Sequence, residues 1–124
     1  MLKKRAVLIV GHGSRLKGSQ KSIEQLVNRL KDDRRFPIVY GAYLSYRLPS
    51  IPAAVDRCVR EGADEILILP YFLSIGSHVK SDIPRLVSLA QKKYGQKTKI
   101  RLSPYLGYHE KIVAVVKERL EAAR

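Results

Sequence analysis

Glu65-Ile66-Leu67-Ile68-Leu69-Pro70-Tyr71-Phe72-Leu73-Ser74-Ile75-Gly76-Ser77-His78 reads as a strand and the loop that leaves it. Ile66 to Leu69 is an unbroken apolar run, too short for a helix and rich in branched side chains. That is the composition of a strand buried on both faces. Pro70 closes the run, because proline cannot donate to a central ladder. Gly76 marks the loop, and Ser81-Asp82-Ile83-Pro84 reads as the opening of a helix from about Asp82 to Tyr94. His78 then stands just past the carboxyl end of a central strand, the edge at which open α/β sheets bind ligands.

The same arrangement occurs at the start of the chain. Ala6 to Val10 is a second apolar run, followed by Gly11-His12-Gly13-Ser14. Glycines on both sides of His12 permit backbone angles that other residues resist. From about Ser19 a helix is expected, with Ile23, Leu26, Val27 and Leu30 on one stripe. Ile38 to Leu44 reads as a strand and Ser45 to Ser50 as a loop. Ser50 suits an N-cap, with Pro52 in the first turn of the next helix. Ile51, Ala54, Val55, Cys58 and Val59 form that helix's apolar face, and Gly62 ends it. In the helix from Asp82, Leu86, Leu89 and Ala90 are expected inward. Thr98 to Leu102 reads as a fourth strand. A last helix from about His109 to Ala122 is expected to bury Ile112, Val115, Val116 and Leu120.

Strands alternating with amphipathic helices give βαβαβαβα, an α/β fold with a parallel four-stranded sheet and helices on both faces. The 124 residues are read as one domain, 1–124. A hydrophobic share of 45% argues against disorder. The single cysteine, Cys58, cannot form an internal disulfide, which fits a cytoplasmic protein. No apolar stretch approaches the ~20 residues of a membrane span. The net charge of +13 speaks of partners: nucleic acid, an anionic membrane or a polyanionic small molecule. Tyr40, Tyr43 and Tyr46 do not interleave with basic residues as an RNA-binding sheet requires, so nucleic acid is not expected.

In a parallel sheet all carboxyl ends point one way, so the loops holding His12, Ser45–Arg47, His78 and Tyr105–Tyr108 gather at one edge. If the first and third strands are neighbours, the two histidines share a cleft. Imidazole is the commonest metal ligand and suits cobalt, nickel, iron and zinc. Two histidines make an incomplete site, poor for a structural metal but suited to holding one briefly. The Gly-His-Gly-Ser turn lacks the glycine spacing of a dinucleotide fingerprint and the lysine of a P-loop. Ser14 lacks the frame of a nucleophile elbow. Ser14 and Asp82 also read as helix caps.

On these motifs the sequence resembles the short single-domain sirohydrochlorin chelatases of the CbiX type, within the class II chelatase superfamily. The resemblance rests on Val10-Gly11-His12-Gly13-Ser14-Arg15, Pro49-Ser50-Ile51-Pro52, Pro70 through His78, and Asp82-Ile83-Pro84, in order over almost the whole chain. It implies a chelatase or flavodoxin-like three-layer sandwich. It implies a lyase that inserts a divalent metal (cobalt first, nickel or ferrous iron also) into sirohydrochlorin, with release of two pyrrole protons. Metal is then a substrate, and no tightly bound cofactor is expected. The product would feed cobalamin, sirohaem or a nickel tetrapyrrole. The family's two metal-binding histidines map onto His12 and His78, and a single-domain chain is expected to be a homodimer.

Sirohydrochlorin is a polycarboxylate, which matches the basic charge, since guanidinium groups pair carboxylates bidentately. Ser14, Arg15, Arg47, Ser77, Lys80 and Arg85 stand in or near the edge loops and are the candidate substrate contacts. The chain departs from many relatives in having Ser45 and Leu48 where they carry acidic residues. A non-catalytic polyanion-binding module (for a tetrapyrrole or RNA) and a metal carrier are the competing readings.

Overall fold

The computed structural model describes residues 3–18 and 20–123. Four strands, β1 (Arg5–Gly11), β2 (Ile38–Tyr43), β3 (Glu65–Pro70) and β4 (Lys99–Leu102), alternate with four helices. The helices are α1 (Lys21–Leu30), α2 (Ile51–Arg60), α3 (Ser77–Tyr94) and α4 (Glu110–Ala122). All strand pairs are parallel, in the order β2-β1-β3-β4. The two apolar runs are therefore the central strands, with Ala6 beside Ile66 and Val10 beside Pro70. The α/β fold with a parallel four-stranded sheet is as the sequence predicts.

Side-chain alternation divides the core in two. Ala6, Leu8 and Val10 of β1, with Ile66 and Ile68 of β3, face α2 and α3. Val7 and Ile9, with Val39 and Tyr43 of β2, face Ile23 and Val27 of α1. Right-handed crossovers explain the division. The chain moves outward one way from β1 to β2, and back the other way from β2 to β3 and on to β4. This puts α1 alone on one face and α2 with α3 on the other.

Ser50 caps α2 as expected, its hydroxyl accepting from the Ala53 N–H at 3.3 Å. Cys58 is fully buried, and burial pushes its thiol up to about 12. At pH 8 its thiolate fraction is then on the order of 10⁻⁴. Iodoacetamide should leave Cys58 unmodified in the native protein and alkylate it in urea, as read by intact mass.

Three expectations are corrected. α3 starts at Ser77 rather than Asp82, with Gly76 as N-cap and Lys80 N–H donating to Gly76 at 2.9 Å. Pro84 thus lies inside the helix and removes only the rung that would reach Lys80. Leu89, expected inward, is 53% exposed, because the buried stripe of the helix runs through Val79, Ile83, Val87 and Ala90 and Leu89 falls outside it. The third correction is α4, of which no residue is buried. Val115, Val116 and Leu120 face outward, and among the described residues no strand follows β4. The predicted start of α1 at Ser19 lies outside the described residues.

Candidate active site

The loop after β1 is held by extending the sheet beyond its strands. Tyr71 N–H donates to Val10 at 2.8 Å on one side. Leu44 N–H donates to Gly11 at 3.1 Å and Ser45 N–H to His12 at 3.0 Å on the other. The Ser45 hydroxyl adds a bond to the same His12 carbonyl at 3.3 Å. The Ser45 side chain thus helps to fix the histidine's backbone. The His12 side chain is left exposed, with Nδ1 3.2 Å from the Gly13 carbonyl. A carbonyl can only accept, so Nδ1 is the donor and Nε2 keeps its lone pair.

The loop after β2 clamps the segment beyond. Arg47 is half-buried and spends its guanidinium on backbone carbonyls: Ser14 at 2.8 Å, Leu16 at 2.7 Å and Arg15 at 3.4 Å. The sequence suggests Arg47 as a substrate contact; its donors here tie loop to loop. Removing it should cost about 1.5–3 kcal/mol. Lysine, a point charge without the fork, should restore little. Urea unfolding of Arg47→Ala and Arg47→Lys without substrate checks this. Arg15 lies over the Tyr46 ring, 4.7 Å from its centroid, and Tyr46 has a left-handed φ of 61°. The Ser14 hydroxyl accepts from Leu16 N–H at 3.1 Å, so it braces its own turn rather than capping a helix.

His78 occupies the first turn of α3, its side chain 85% exposed. Its Nε2 lies 2.9 Å from Asp82 Oδ2, one helical turn on. Asp82 also stands 3.7 Å from Arg85. Its carboxylate therefore serves two site residues, and the cap expected of it is not formed. Ser77 and Lys80 are exposed on the same turn, and the Ser81 hydroxyl donates to the His78 carbonyl at 3.1 Å. The His78–Asp82 pair is at i, i+4, a spacing that meets only if both residues are helical. A helix drawn from Asp82 hides it.

β1 and β3 are neighbours, so both histidines lie at the same sheet edge. The hollow at His12, of about 320 Å³, is bounded by Gly11, Gly13, Ser14, Gln20, Tyr43 and Tyr71 among others, and His78 is not in its wall. Among the described residues no group of three or more His, Cys, Asp or Glu side chains is placed to hold a metal. No helix among them is long and apolar enough to cross a membrane.

Fold and site together define a small parallel α/β domain with histidines at the ends of its two central strands. The sequence matches the CbiX family over residues 6–123, and the chain belongs to that family. It is 35% identical over 115 residues to the chloroplastic sirohydrochlorin ferrochelatase of Arabidopsis thaliana, covering 93% of this chain and 51% of that protein. It is 33% identical over 117 residues to the sirohydrochlorin cobaltochelatase of Sulfolobus acidocaldarius, covering 94% and 90%. The solved structure of the sirohydrochlorin chelatase SirB from Bacillus subtilis subspecies spizizenii, in complex with cobalt, matches with a TM-score of 0.86. Identity there is 30%, over 96% of this chain and 50% of that one. The chain thus spans about half the length of the plant and Bacillus proteins and most of the Sulfolobus one.

Proposed function

We propose that this chain is a sirohydrochlorin chelatase, inserting a divalent metal into the tetrapyrrole as two pyrrole protons leave. Cobalt is the first candidate metal, with ferrous iron and nickel behind it. The metal is a substrate, and no tightly bound cofactor is invoked. The observation that carries the reading is the pair of exposed histidines at the ends of adjacent parallel strands, in a chain of the CbiX family.

His12 offers Nε2 to the metal, because its Nδ1 donates to Gly13. His78 has Nε2 turned to Asp82, which leaves Nδ1 to take metal or a pyrrole proton. A carboxylate behind an imidazole is the arrangement that orients metal-binding histidines. Arg15, Lys80 and Arg85, with Ser14 and Ser77, surround this edge and meet the substrate's carboxylates, while Arg47 holds the loop that presents Ser14 and Arg15. The protein is read as one chelatase domain, cytoplasmic, working as a homodimer that supplies two such edges.

The test is the absorbance of sirohydrochlorin with cobalt, nickel or ferrous ions, with and without protein, near pH 8. A protein-accelerated change to the metallated spectrum is expected, and the order of metals ranks them. A spectral change that needs no metal would replace the enzyme with a tetrapyrrole-binding module. No change with any of the three metals would overturn the assignment.

A further inference from the structure

Tyr46 stands in a conformation that tyrosine avoids. Its φ of 61° lies in the left-handed region, where a Cβ crowds the following carbonyl. The Arg47 N–H donates to the Ser45 carbonyl at 2.8 Å, which closes a tight turn centred on Tyr46. With a positive φ at its centre, this is the rare and strained form of γ-turn. Strain of this kind persists only where the surroundings over-determine it, and it gathers at functional sites. The core does not demand it here, because Tyr46 is 63% exposed.

What the turn achieves is a contact between two loops. It lays the ring against Arg15, whose guanidinium carbon is 4.7 Å from the ring centroid. Arg47 holds both sides of that contact. Its backbone N–H closes the turn at Tyr46, and its guanidinium holds the carbonyls of Ser14, Arg15 and Leu16.

The charge of Arg15 is left for a ligand. Arg35 and Arg57 also lie over rings, those of Phe36 and Tyr40. Each of them is neutralised as well, by Asp33 at 2.7 Å and by Glu61 at 3.1 Å. Among the described residues no carboxylate pairs with Arg15. A ring occupies only the face of a guanidinium, so the N–H groups along its edge can still grip a carboxylate with two parallel bonds. A free surface arginine must give up side-chain freedom to make that grip, and a stacked one has already given part of it up.

We infer that Tyr46 is a positioning residue: held in its left-handed turn by Arg47, it fixes Arg15 at the strand-end edge to receive a carboxylate of the substrate. It acts through Arg15 and does not touch the reacting atoms. The inference rests on the chelatase reading above and names one contact by which the chain takes hold of a polycarboxylate.

Substitutions at both residues test it. Tyr46→Ala and Tyr46→Gly each remove the ring and differ only in the Cβ. At an ordinary position alanine is the more stable of the two. Here the strain reverses the order, and Tyr46→Gly should have the higher urea midpoint. Binding is read by titrating sirohydrochlorin without metal. Both variants should bind about 3- to 10-fold more weakly than native protein, the cost of ordering one long side chain. In metallation KM should rise by the same factor with kcat unchanged. Tyr46→Phe keeps the ring and should restore native binding. Adding Tyr46→Ala to Arg15→Ala should weaken binding no further than Arg15→Ala does alone. Losses that multiply in the double variant would mean that the ring meets the substrate directly, and would overturn the positioning role. Native-like binding by Tyr46→Ala would overturn it while keeping the chelatase reading. A Tyr46→Gly midpoint below that of Tyr46→Ala would remove the strained turn on which the assignment stands. Native protein that binds no sirohydrochlorin would overturn this role and the chelatase reading together.

Discussion

Alanine at His12 or at His78 is expected to abolish metal insertion while leaving the fold unchanged. Both side chains are exposed, and neither contributes to the core, so thermal stability should move by no more than about 0.5 kcal/mol. The chemical loss should be far larger. A group that holds the metal or takes a proton in the rate-limiting step is worth roughly 10²- to 10⁴-fold in rate. Asp82→Asn is the informative companion. It keeps the shape but replaces the carboxylate facing His78 Nε2, and should cost about 10- to 100-fold, as changes behind a metal-binding histidine do. The measurement is the rate of sirohydrochlorin metallation for each variant, beside circular dichroism melts. Full activity in both alanine variants would remove the histidines from the mechanism. An intact His78→Ala rate with a dead His12→Ala would assign the chemistry to the first loop alone.

Gly13→Ala is the second large effect, and here stability and activity should fall together. Gly13 has φ +90°, where an L side chain is strained. A Cβ there would stand 1.7 Å from the Ser45 carbonyl oxygen, which is backbone and cannot rotate away. The two loops must therefore part, and that breaks the Ser45-to-His12 bonds that fix the histidine. Gly18 is the control. It has φ +84° but open space around its Cβ, so Gly18→Ala should cost only the conformational term of about 1–2 kcal/mol. Gly13→Ala should exceed that by about 1 kcal/mol or more, since two hydrogen bonds between the loops go as well. Urea midpoints at constant slope give both numbers. Equal losses at the two sites would show that the loops separate without cost.

The legible parts of this molecule were those governed by local pattern. Two apolar runs of strand length identify the central strands, because only a strand covered on both faces can be apolar at every position. Their carboxyl-end loops identify His12 and His78 as edge residues for the same reason. Ser50 and Pro52 mark the start of α2 because capping chemistry is local. α3 was harder. Ser81-Asp82-Ile83-Pro84 looks like a helix opening, since proline is welcome in a first turn, and the true first turn at Ser77 carries no side-chain cap to announce it. The His78–Asp82 pair went unread with it.

The sequence by itself determined the parallel α/β class, the central strands and the edge at which the two histidines stand. These follow from hydrophobic periodicity and the direction of a parallel sheet. Only the tertiary structure decided what each side chain touches. Arg47 turned from a presumed substrate contact into a clamp because its reach to Ser14 and Leu16 depends on how two loops distant in sequence lie together. The fate of α4 was decided there too. Its apolar residues predict a buried face, but a stripe does not name what it would pack against. That depends on how the sheet faces are occupied, and on the α1 side Leu67 and Leu69 of β3 are only half-buried.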